Sequence, residues 1–221
     1  MARFALIPAA PILLENIDLL ESARTAALRA EVEGVLSSRE VWSLPVDTLP
    51  PLAGLGGLGI DRGIDTRTGQ LLSGEDWVEA VRALSPEERA ACESAHPGVA
   101  VALMHAHSAG VRLGPLGAAD DLVVPLDLSV AASPDAPLAP TAGAAAFDDA
   151  LVAALTAGEV PALLALTPGA ASAHADIELL TAALAHLAER SQGSTPSLTL
   201  DRTVFDADVH DVRSLCATGS C

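Results

Sequence analysis

Tyrosine is missing from this chain, and so is lysine: all 12 of its cationic side chains are arginine. Without lysine there is no Schiff base to pyridoxal phosphate or a carbonyl substrate and no P-loop lysine; without tyrosine there is no phenolic acid, base or nucleophile. Aromatic residues are scarce, only Phe4, Trp42, Trp77, Phe147 and Phe205, so stacking platforms for nucleic-acid bases are not expected. Twelve arginines against 29 carboxylates leave a formal charge of −17, the wrong sign for a phosphate backbone or an anionic membrane. Cys92, Cys216 and Cys221 are an odd set that does not suggest a disulfide framework, and a reducing cytoplasm is the expected compartment. No apolar run approaches the roughly 20 residues of a membrane span. Arg3 precedes an apolar stretch in the manner of a signal peptide, but prolines interrupt that stretch and Glu15 closes it early, so no secretory leader is expected.

What is present is an apolar, alanine-rich chain of 221 residues, half of them hydrophobic. That is enough to bury one sizeable core, and a single domain over 1–221 is expected, with a tail from about 212. Residues 3 to 8 read as a buried strand, and 16 to 36 as a helix capped by Asn16 with Ile17, Leu20, Ala27, Leu28 and Val35 on one face. "REVWSLPV" (39–46) reads as a second strand. The proline- and glycine-rich stretch that follows, to Gln70, reads as a long connection without regular structure. Ser73 to Asp76 has the form of a capping box opening a helix to Leu84, and Ser85 to Glu88 starts another. "GVAVALMHAH" (98–107) and "DLVVPLDLSV" (121–130) read as strands covered on both faces. After the connection "SPDAPLAPTAGAAA", helices are expected over 147–157, over the short "VPALLAL" and over 174–190; "SQGSTPS" is a break, and 198–210 resumes a strand. Strands alternating with helices indicate a three-layer α/β/α domain around a mostly parallel or mixed sheet.

Several stretches invite a chemical reading. "GLGGLG" (54–59) matches the glycine pattern of dinucleotide-binding turns, but prolines precede it and no helix follows, so a glycine loop is the preferred reading. His105 and His107, two apart on an expected strand, would share a face; with Asp127 they would make a two-histidine, one-carboxylate set suited to non-haem iron or zinc. The plainer alternative is one packed and one solvated histidine. Asp206, Asp208 and His210 alternate in "FDADVHD", either as ligands or as the charges of a half-exposed edge strand, and the edge strand is favoured. Cys216 and Cys221 lack a second ligand pair at metal-site spacing and read as inert or adventitiously reactive thiols. No Gly-x-Ser-x-Gly elbow occurs.

Taken in order, "IPAAPILLE" (7–15), "PLDLSVAAS" (125–133), "DAPLAP" (135–140), "FDDALVAAL" (147–155) and "AGEVPALLALTPGAA" (157–171) resemble the class III extradiol ring-cleavage dioxygenases. The likeness is to their catalytic-subunit-like branch, which includes small alanine-rich actinobacterial proteins. The resemblance is strongest over 121–171. It implies an iron bound by a histidine at the first strand tip, a second histidine at a later strand end and a carboxylate, with a further histidine after the Asp-x-Ser motif as acid or base. In this chain those histidine positions fall on Ala9, on or beside Val46, and on Val130. Alanine and valine neither ligate a metal nor move a proton. Asp176 and Glu178 are candidates for the carboxylate. The implied cleft positions are Ala9, Pro11, Val46, Asp127, Ser129 and Val130, with the glycine loop and the tip of strand 121–130 as its rim. The expectation is a non-catalytic relative without a cofactor, which binds a small molecule or a protein and is open to self-association. The competing expectation is a metal-dependent enzyme of non-haem iron or zinc, an aromatic-ring oxygenase among the options, whose site has moved to His105, His107 and Asp127.

Overall fold

A computed structural model describes residues 2–18, 22–190 and 198–221. Leu20 and the break "SQGSTPS" lie outside the described residues.

The first strand, β1 (Arg3–Pro8), alternates its side chains between two cores. Ala5 and Ile7 face one cluster, Phe4 and Leu6 the other, the period of two that a strand buried on both faces imposes. Around it, β2 (Val41–Ser43), β6 (Arg112–Gly114) and β7 (Leu122–Leu126) run parallel, and β8 (Thr199–Val209) and β9 (Val212–Ser220) form a hairpin whose β9 pairs antiparallel with β1. The order is β6-β2-β7-β1-β9-β8. On one face lie α1 (Ala23–Leu36) and α4 (Pro97–Ala109), which share a core with Trp42, Val123 and Cys216; on the other lie α5 (Ala144–Ala157), α6 (Val160–Ala173) and α7 (Glu178–Arg190). The domain is thus α/β in three layers on a mixed, mostly parallel sheet. Among the described residues no helix is long and apolar enough to cross a membrane.

A second, small antiparallel sheet is formed by β3 (Leu52–Gly54), β4 (Arg62–Asp65) and β5 (Gln70–Ser73), followed by α2 (Glu75–Ala83) and α3 (Pro86–Glu93). The stretch expected to be structureless therefore holds most of a sheet. Its glycines are the reason: the Trp77 ring lies against Gly54 and Gly63, where any Cβ would collide with it. The small sheet can thus close on one large side chain.

Other expectations are corrected by the structure. Residues 98–107 belong to helix α4, which starts at His96-Pro97 and ends at Gly110 with φ 70°. Its apolar run covers the helix all round, so no period betrayed it. Helix α1 starts later than expected: Ser22 is its cap and accepts from the Thr25 N–H, whereas Asn16 sits in a left-handed turn with φ 63°. Gly74 precedes α2 without a side-chain cap, so the Ser73 box does not form; the Ser85–Glu88 box on α3 does. Helix α6 runs past 166 to Ala173 with Pro168 inside it. Residues 212–220, expected as a tail, are β9, an interior strand.

Candidate ligand cleft

The carboxyl ends of β1, β2 and β7 are neighbours in the sheet, the usual place for ligands in such folds. The tip of β1 carries no polar side chain, yet its backbone is used. The Ala9 N–H donates to Oδ1 of Asp127 at 2.9 Å, just beyond β7. Asp127 in turn pairs through its backbone with Asp176, N–H to carbonyl in both directions at 2.9 Å. Asp176 accepts from Nε2 of His96 at 2.9 Å and from the Glu178 N–H at 3.2 Å. His96 is the cap of α4, and its Nδ1 accepts from the Gly98 N–H at 3.0 Å. These two bonds fix the tautomer, with the proton on Nε2 and a lone pair on Nδ1.

Gly98 lets the first turn of α4 sit on the strand tips. A Cβ there would press on His96 Nδ1 at 3.1 Å and on the Cβ atoms of Ala9 and Pro125 at 3.2 Å. The surroundings also move the acids and the base. Burial pushes Asp127 up to about 6, against the Ala9 hydrogen bond that lowers it. Burial also raises Asp176, but the His96 hydrogen bond and charge together outweigh it and hold that carboxyl below its ordinary value. The same hydrogen bond raises His96 in spite of its burial. Groups displaced in opposite senses at one strand edge are typical of functional sites.

Two cavities meet at this histidine. One, of about 690 Å³, lies between the small sheet, α2, α3 and the start of α4; the other, of about 490 Å³, is lined by Val46, Leu49, Pro50, Glu178 and Leu179. Ala95, His96 and Pro97 border both. Gly54 to Leu58 rim the larger cavity. "GLGGLG" itself runs from β3 through a short 3-10 turn to Gly59, with φ 75°, and on to β4. It is therefore not the strand–turn–helix of a dinucleotide site.

The expected cleft positions are brought together in part. Ala9, buried, touches Asp127, and Val46 lines the smaller cavity. Pro11 opens a 3-10 turn after the strand tip. Ser129 is fully buried and structural: its hydroxyl donates to the Ala173 carbonyl at 2.5 Å and its N–H to Asp148 at 2.9 Å. The Val130 N–H is tied to the His174 carbonyl, and the residue lines neither cavity.

The relocated metal set is not assembled. On helix α4, His105 and His107 lie about 200° apart; His105 is buried and His107 exposed. His105 also stands nine residues beyond His96, roughly 13 Å along the axis from the end that meets Asp127. Burial pushes its imidazole down to about 4, with Arg29 acting in the same sense. Asp206 is taken by Arg213 in two bonds of 2.7 and 2.8 Å, and His210 by Asp18 at 3.0 Å. Strand β8 lies at an edge of the sheet, as its alternating charges imply. Cys216 is buried in β9, its thiol pushed up to about 12 by burial. Among the described residues no group of three histidines, cysteines or carboxylates is placed to hold a metal ion. The iron implied by the resemblance does not fit the residues present, since Ala9, Val46 and Val130 have no donor atoms on their side chains.

Sequence reasoning missed His96 and Trp77. The signal for His96 was local: a polar residue before Pro-Gly and an apolar run is a helix start. Compared with known proteins, the chain matches no family model and no curated protein.

Proposed function

We propose that this protein is a non-catalytic relative of the class III extradiol dioxygenases that binds a small molecule in the cleft around His96. The observation that carries the reading is the state of the β1 tip. Where the resemblance calls for an iron-binding histidine stands Ala9, and the nearby carboxylate, Asp127, is engaged by the Ala9 N–H. Both nitrogens of His96 are also committed, to Gly98 and Asp176. The two cavities supply the volume such a ligand needs. Three free thiols support a reducing, cytoplasmic setting.

The test is anaerobic equilibrium dialysis of the full chain against iron(II) and against zinc(II). Retention far below one ion per chain is expected. One tightly held ion per chain would overturn the proposal.

A further inference from the structure

The larger cavity carries chemistry that the His96 network does not use. Its apolar wall is aliphatic, with Leu52, Leu55 and Leu84, and Trp77 is its one aromatic residue. The benzene part of that indole is pressed on Gly54 and Gly63, which leaves Nε1 nearest to Gly56 on the loop that rims the cavity. No hydrogen bond is made by this N–H among the described residues, and it is not one of the fully buried polar atoms, so it is open to the cavity.

Two guanidinium groups, Arg82 on α2 and Arg89 on α3, line the same space. One N–H of Arg89 donates to the Val81 carbonyl at 3.0 Å, which holds the side chain on the wall. Neither arginine makes an ion pair among the described residues, although the chain has 29 carboxylates for 12 cations and Asp61 and Glu93 share the lining. Arg3, Arg62, Arg112 and Arg202 are likewise without an ion pair among the described residues, so it is the placement of Arg82 and Arg89 together beside an apolar pocket that offers an anion a site.

We propose that the larger cavity binds an amphipathic monoanion, a medium-chain aliphatic carboxylate. Its alkyl chain lies on the leucine wall and its carboxylate on Arg82 and Arg89. This rests on the binding role proposed above and names its ligand class. The aliphatic lining argues for an alkyl chain, and the planar fork of arginine matches a carboxylate.

Trp77 provides the readout. The other tryptophan, Trp42, is sealed in the main core with its N–H on the Leu36 carbonyl. Changes in indole emission on adding a ligand to the full chain therefore report Trp77. Decanoate, kept below its micelle concentration, should change that emission saturably and bind at least about tenfold tighter than 1-decanol, the effect of a charge-assisted hydrogen bond. The double variant Arg82→Gln, Arg89→Gln should lose that preference while still binding 1-decanol as before. Equal binding of decanoate and decanol, or a preference that survives the double substitution, would overturn the carboxylate assignment and leave the binding role standing. Tighter binding of decylamine than decanoate would assign the cavity to Asp61 and Glu93 and overturn it equally. Failure of all three probes to bind refutes this ligand class, whereas the metal dialysis tests the non-catalytic reading separately.

Discussion

Replacing Asp127 by asparagine isolates the electrostatics of the strand edge. The variant keeps an oxygen to accept the Ala9 N–H but cannot ionise. In the fold the carboxyl stands at about 6 against an ordinary 3.8, because burial penalises its charged form. The unfolded chain ionises first as pH rises, so the stabilisation from keeping Asp127 protonated is complete below about pH 4 and is lost as pH climbs through about 6. At about 1.4 kcal/mol for each pH unit between the two values, the loss is on the order of 3 kcal/mol. Urea unfolding at a series of pH values, on the protein and on Asp127→Asn, gives two stability curves. Their difference cancels the titration of the other carboxylates. Asp127 is the weakest of the influences that raise His96, so little of the difference comes from that ring. The stability of the protein relative to the variant should fall by about 3 kcal/mol between pH 4 and pH 7. A flat difference, or one that rises with pH, would refute the burial of this carboxyl and the geometry built on it.

Other outcomes follow from the same structure. Gly63→Ala would drive a methyl group into the Trp77 ring and the Ala53 carbonyl; a loss of about 1 to 3 kcal/mol in urea unfolding is expected, with altered Trp77 emission. Ser85→Ala removes half of the capping box of α3 and should cost about 1 kcal/mol by the same assay. His105 has a buried Nε2 without a partner among the described residues, so His105→Leu should raise stability at pH 7 by about 1 kcal/mol. Because burial lowers that imidazole to about 4 from 6.5, the parent protein should lose stability as pH falls from about 6.5 toward 4, and the leucine variant should be spared that part of the loss. A thiol reagent should leave Cys216 unmodified until denaturant is added, since burial keeps it protonated.

The layers of the fold were legible because β1, β7 and the helices on both faces carry periods or buried runs long enough to read. Helix α4 was not, because a segment buried all round has no polar face and its alanines and valines suit a strand as well. The small sheet was hidden by glycines whose purpose, close approach to Trp77, exists only in three dimensions. Residues 212–220 read as a tail because a hairpin partner cannot be seen from one strand alone. At the site, Ala9 and Asp127 were identified singly and are joined by a backbone hydrogen bond that no motif records. His96 escaped because its role depends on Asp176, 80 residues away. Ser129, singled out with the Asp-x-Ser motif, serves packing: its partners are all internal.

The proposal that the positions at which the resemblance places iron ligands no longer hold a metal is tested most directly by native mass spectrometry of the full chain, purified without chelators from cells grown with added iron and zinc. The expected spectrum shows the mass of the bare chain, alone or with an organic adduct that leaves on activation. A dominant species carrying one iron or one zinc ion per chain would contradict it.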